Sequence, residues 1–157
     1  MSASTWALQP TDRERLIRAA IEAKEFAYSR YSHFRVGAAL LTTTGEIIKG
    51  ANVENASYGG TICAERTALV KAVSEGVRSF TALAVVSDVL SAISPCGMCR
   101  QVIREFCAQN MPILLVPADY EERLTSGIGD GGVKETSIAQ LLPDSFGPED
   151  LELPRSQ

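Results

Sequence analysis

The chain has 157 residues, 45% hydrophobic and 22% charged, with 15 Lys and Arg against 19 Asp and Glu for a net charge of -4. That length supports one hydrophobic core and is short for two domains, and the acidic balance offers no field for gathering a polyanion, which excludes a nucleic-acid polymer as the expected ligand. No apolar run approaches the roughly 20 residues that span a bilayer, and the N-terminus lacks the charged start and apolar core of a secretory signal, so a soluble, cytoplasmic protein without membrane contact is expected.

In chain order, residues 1–10 show no periodicity and read as a loose leader before Thr11, whose T-x-x-E spacing to Glu14 has the form of a capping box. Leu16, Ile17, Ala20, Ile21, Ala23 and Ala27 then recur at helical spacing, with Arg13, Glu14, Arg18, Glu22 and Glu25 on the other side. This predicts an amphipathic helix ending near Ser29. Two short apolar runs, 35–41 and 46–51, joined by Thr-Thr-Thr-Gly, predict a hairpin with Gly45 at the special backbone angle.

The runs 80–87 and 112–116, rich in Leu, Ile and Val, predict strands buried on both faces. Flanking the first are two helical segments, 63–75 closed by Gly76 and 97–109 closed by Asn110 and Pro112. Residues 117–132 are rich in Gly, Asp and Glu and predict a surface loop, followed by a weak strand and a short helix over 137–142 that Pro143 stops. Strands alternating with helices imply a layered α/β sandwich, with sites near strand ends and helix N-termini. The expected organisation is one domain over 11–151 with a frayed tail over 152–157.

The chemistry concentrates in Cys63-Ala-Glu65 and Pro95-Cys96-Gly-Met-Cys99, three thiols and one carboxylate at two helix starts. Cys96 and Cys99, about one helical turn apart, can both point at one Zn2+ ion, with Cys63 completing a tripod and a fourth position open to water. The competing arrangement is a closed structural site with Cys107 as fourth ligand. In a continuous helix, however, Cys107 would lie roughly 12 Å along the axis from Cys99, so it reads as a buried thiol. A redox role for the C-x-x-C leaves Cys63-x-Glu65 without a purpose. The one histidine, His33, falls in a Tyr-Ser-His-Phe turn and reads as structural.

Three cysteines, a non-ligand glutamate and a P-C-x-x-C run are the parts of zinc nucleobase deaminases. Here CAERTALVKAVSEG, ISPCGMCRQVIREF, YSHFRVGAAL, NVENASY and LLPDSFGPEDL resemble the small, homotetrameric cytidine deaminase family across nearly the whole chain. The resemblance implies a three-layer α/β/α sandwich around a mixed sheet of about five strands, one zinc ion per chain on Cys63, Cys96 and Cys99, and deamination of free cytidine and 2′-deoxycytidine in pyrimidine salvage. It implies Glu65 as the catalytic proton carrier and Arg66 as a hydrogen-bond donor to the cysteine sulfurs. Asn52 and Glu54 match the pair that binds the ribose 3′-hydroxyl, and Phe34 matches the aromatic that packs on the base. Ala56, Tyr58 and Phe146 match residues lent to active sites of adjacent subunits. Where some relatives have proline after the aromatic, this chain has Arg35.

Two other functions share these parts. A deaminase of a cytosine nucleoside antibiotic would keep the metal site and change the sugar pocket, against which Asn52 with Glu54 argues. A zinc-stabilised binding module would use the cysteines for folding and would have no use for Glu65.

Overall fold

The computed structural model describes residues 7–155. Residues 1–6 of the expected leader and 156–157 of the expected tail lie outside the described residues.

Helix α1 spans Pro10–Lys24, with Pro10 in the first turn, where its missing N–H is no loss. The expected capping box is absent. Gln9 is the extended N-cap and makes no side-chain cap bond, while the Glu14 carboxylate is taken by Arg18, 2.8 Å away. The helix also ends earlier than expected. Its backbone is diverted because the Tyr28 N–H donates to the Asn52 carbonyl at 2.9 Å and the Glu54 N–H donates to the Tyr28 carbonyl at 2.8 Å.

Strands β1 (Val36–Thr42) and β2 (Ile47–Ala51) form the expected hairpin, with Gly45 at φ 84°. Helix α2 spans Ala64–Ser74, β3 spans Phe80–Ser87, α3 spans Gly97–Phe106 and β4 spans Ile113–Val116. Helix α3 stops three residues short of its expected end, because Cys107 is an extended C-cap buried in the core. The segment expected to be all loop contains α4 (Tyr120–Thr125), whose Tyr120 and Leu124, spaced i and i+4, pack on the core. A helix of six residues with two inward positions is too short for periodicity to show. Strand β5 (Lys134–Thr136), α5 (Ile138–Leu141) and α6 (Pro148–Leu151) complete the chain.

The sheet runs β2-β1-β3-β4-β5, with β3 and β4 parallel and the other pairs antiparallel. Alternate residues of β1 and β3 face two separate cores. Ala38, Leu40, Leu83 and Val85 pack with α2 and α3, whereas Ala39, Leu41, Ala84 and Val86 pack with α1. The architecture is therefore a three-layer α/β/α sandwich around a mixed five-stranded sheet, and burial of both faces explains the near-continuous apolar runs. No helix among the described residues is long and apolar enough to cross a membrane.

Two glycines set the helix-to-sheet distance. A Cβ on Gly37 would fall within 3.0 Å of Ala20 and Lys24 backbone atoms in α1, and one on Gly50 within 3.0 Å of Ala64 and Ala68 backbone atoms in α2. Backbone cannot swing aside as a side-chain tip can. Gly50→Ala is therefore expected to destabilise by about 1–3 kcal/mol and lower the melting temperature by several degrees. Gly129→Ala, which faces open space, is expected to change neither. Thermal melts of the two variants side by side check the contrast.

Candidate metal centre and cavity

Cys63 is the N-cap of α2 and Cys96 the N-cap of α3, with Cys99 in the first turn of α3. Both helices thus aim their N-terminal partial positive charge at the thiols, which favours thiolates. The three sulfurs lie within 4.8 Å of one another, and those of Cys63 and Cys96 are 3.9 Å apart. A tetrahedral zinc site with sulfur at about 2.3 Å has sulfur–sulfur edges of about 3.8 Å, so the spacing fits one shared ion, and no disulfide joins these residues. Cys107 is outside the group, and burial pushes its thiol up to about 12.

The thiols also lie close enough to share protons. Cys63 is brought down to about 5, first by the hydrogen bond from Cys99 and, against burial, by Arg66 and Cys96. Cys99 is pushed up because its proton is shared with Cys63 and because it is buried beside Glu65. Without an ion, one sulfur is an anion only while its neighbour keeps a proton; a dication allows all of them to ionise. Arg66 donates from Nη2 to the Cys63 sulfur at 3.3 Å and to the Thr61 carbonyl at 3.5 Å, offsetting thiolate charge. Its buried Nε finds no hydrogen-bond partner among the described residues.

Glu65 is 4% exposed, and its Oε2 sits 3.7 Å from the Cys99 sulfur. Burial raises its pKa above the ordinary carboxylate range, and the Cys63 charge adds to the rise. A buried carboxyl beside a group of thiols is placed to pass a proton back and forth.

Above this group opens a cavity of about 380 Å³, within the usual range for small-molecule sites. It lies at the carboxyl ends of the parallel pair β3 and β4, where Val85, Val86, Ser87 and Val116 line it. Of the expected site residues, Phe34, Asn52, Glu54, Cys63, Glu65 and Cys96 line the cavity, while Cys99 is buried within the sulfur group. Asn52 bridges the strap that carries Phe34: its Nδ2 donates to the Phe34 carbonyl at 2.8 Å, and its Oδ1 accepts from the Val36 N–H at 2.9 Å. Glu54 accepts from the Ser32 N–H at 3.2 Å and the Ser32 hydroxyl at 2.9 Å. Both acceptors keep unused lone pairs for a ligand.

Ala56, Tyr58 and Phe146 are not brought to the cavity of their own chain; all are exposed, Tyr58 by 75% and Phe146 by 61%. His33 is exposed in a turn at φ 55° and is not part of the sulfur group. Sequence reasoning missed Ser32, Ser87, Ile93 and Ser94, which also line the cavity. Ser94 immediately precedes the Pro95-Cys96 run, a signal that could have found it. Ser87 ends a strand, and nothing local marks it.

Three thiols on two helix starts, with a buried non-ligating glutamate beneath an open cavity in an α/β sandwich, define the class of zinc-dependent base deaminases. Comparison with known proteins narrows the class. The family model for the "Cytidine and deoxycytidylate deaminase zinc-binding region" matches residues 10–115. A cytidine deaminase of Sporosarcina psychrophila is 50% identical over 146 residues, spanning 93% of this chain and 99% of the relative. One from Halalkalibacterium halodurans is 51% identical over 140 residues, spanning 89% and 98%. The crystal structure of cytidine deaminase from Burkholderia pseudomallei superposes with a TM-score of 0.74 at 46% identity, covering 85% of this chain and 98% of that one. The chain belongs to the cytidine and deoxycytidylate deaminase family, whose matched region is zinc-binding, and its group of three cysteines could hold the ion.

Replacing any of Cys63, Cys96 or Cys99 by Ala is expected to abolish stoichiometric zinc, and Cys107→Ala to leave it unchanged. Arg66→Ala, which keeps all three thiols but removes the positive charge and the hydrogen bonds to the Cys63 sulfur and the Thr61 carbonyl, is expected to weaken zinc binding about 10- to 100-fold. Metal analysis and chelator competition on the purified variants read both effects.

Proposed function

We propose that this chain hydrolyses free cytidine and 2′-deoxycytidine to uridine and 2′-deoxyuridine with release of ammonia, as a cytoplasmic enzyme of pyrimidine salvage. The observation that carries this reading is the buried Glu65 carboxyl, two residues from one thiol and 3.7 Å from another, on the floor of a cavity sized for a nucleoside. The family membership and the activity named for its close relatives support it.

When bound by Cys63, Cys96 and Cys99, zinc supplies Lewis acidity that makes a water nucleophilic enough to attack C4 of the base. Glu65 accepts the proton this water loses and delivers it to N3, then takes the second proton from the hydroxyl now on C4 and gives it to the amino group, which leaves as ammonia when the C4–N bond breaks. Phe34 packs against the base, and Asn52 and Glu54 receive the sugar. A carboxylate at the sugar hydroxyl suits a free nucleoside, because the 3′-phosphate of a polymer would meet like charge. The net charge of -4 agrees, offering no track for a phosphate backbone.

The active unit in this reading is a homotetramer in which Ala56, Tyr58 and Phe146 complete the sites of adjacent subunits. Support comes from their exposure and from their absence from the lining of the cavity of their own chain. Large apolar side chains this exposed are the kind that subunit contact covers.

Glu65→Ala is expected to keep zinc and fold but to lose deamination by about 10²–10⁴-fold, followed as the ultraviolet change on adding cytidine. Retained turnover would remove Glu65 from its role. For the shared site, mixed tetramers of Glu65→Ala and Phe146→Ala chains are expected to turn cytidine over faster than either parent, since some sites receive both native residues. No gain on mixing, with exchange of subunits verified, would place Phe146 outside the neighbour's site.

A further inference from the structure

The 25–35 segment, which joins α1 to β1 and carries Phe34 to the cavity, is tied at both ends to one carboxylate. At its start, the buried Lys24 places its Nζ 3.1 Å from Asp88 Oδ1 and donates to the Ser87 carbonyl at 3.3 Å. At its end, Arg35 donates to Asp88 three times: from its backbone N–H at 3.0 Å, from Nε at 3.1 Å and from Nη2 at 2.9 Å. These four donors fill the acceptor capacity of a carboxylate. Asp88 directly follows the cavity-lining Ser87, and Arg35 directly follows the cavity-lining Phe34, so the cluster joins two walls of the cavity without entering it.

We propose that Asp88 and Arg35 are positioning residues that set Phe34 over the substrate base, with Lys24 holding Asp88 in place. The inference rests on the deaminase reading. Phe34 is flanked by two carboxylate anchors, Glu54 on Ser32 and Asp88 on Arg35, and its own carbonyl is held by Asn52. Releasing the Arg35 anchor leaves the sulfur group and Glu65 untouched but frees the side of the strap next to the ring. Burial works against the Asp88 charge, yet the Arg35 guanidinium and N–H and Lys24 together bring its pKa down to about 2, as expected for an anchor that stays ionised. The outer pair of Arg35 with Glu25, at 3.1 Å between half-exposed groups, contributes little by comparison.

Arg35→Met keeps the Lys24–Asp88 pair and the packing of the stem, so the test is a double-mutant cycle of Arg35→Met with Phe34→Ala, read as KM and kcat for cytidine alongside zinc content and melting temperature. The expected result is about a 10-fold rise in KM for Arg35→Met, with kcat changed less than about 3-fold, zinc unchanged, and no further rise when Phe34 is already Ala. Arg35→Lys, which lacks the fork that grips both carboxylate oxygens, is expected to fall between wild type and Arg35→Met. An unchanged KM in Arg35→Met, or an equal rise in the Phe34→Ala background, overturns the positioning role while leaving the deaminase reading intact. A wild-type chain that loads zinc but does not turn cytidine over overturns the reading and the inference together.

Discussion

The constraint on which the rest of the structure depends is the convergence of two helix N-termini on one group of sulfurs. Thiolates held within 4.8 Å of one another repel, and a shared cation relieves that repulsion. The fold maintains the geometry by burying both helices on the same face of the sheet, where Ala64, Ala68, Leu69 and Ile103 share one core with β1 and β3. Gly50 lets α2 approach the hairpin so closely that its backbone rests on the strand. A metal centre at such a junction is rigid because it inherits the rigidity of two packed helices.

The same placement separates the chemistry from the recognition. Glu65 and the cysteines belong to helix starts, whereas the residues that face the proposed nucleoside come from the ends of β1, β2 and β3 and from the strap before β1. Those recognition residues are bound to one another before any ligand arrives. Asn52 spends one donor and one acceptor on the strap backbone, and Glu54 holds Ser32. Polar groups fixed in this way lose little freedom on binding, so less of the gross interaction with a ligand is consumed in ordering the site.

How much of this was legible in the sequence follows from how local each cause is. The apolar run of β3 needs no partner to be recognised, and Phe80–Ser87 stands where it was read. Cys63, Glu65, Cys96 and Cys99 announced themselves because the required chemistry is compressed into two short motifs. The end of α1 was misread because its cause lies in Val53, a residue distant in sequence that pairs with Tyr28 and draws the chain away. The Asp88 anchor was invisible for the same reason, its partners Arg35 and Lys24 being 53 and 64 positions away along the chain. Helices α4 and α6 escaped notice because elements of six and four residues carry no periodicity.

The C-terminal segment illustrates how a buried charge can serve an exposed side chain. Arg104, 6% exposed on α3, donates to the Ser145 hydroxyl at 3.2 Å and pairs with Glu149. A Cβ on Gly147 would collide with its guanidinium, and Gln101 donates to the Phe146 carbonyl at 3.2 Å. Residues 145–149 are therefore strapped to the helix that bears two of the three grouped thiols, while the Phe146 ring between them is exposed. In a chain acting alone, ordering an apolar ring in water has no return in burial. In the proposed tetramer the strap gives each subunit a rigid aromatic finger referenced to its own metal centre. Neighbouring active sites would then be linked through packed helix and clamped backbone, with no flexible loop between them.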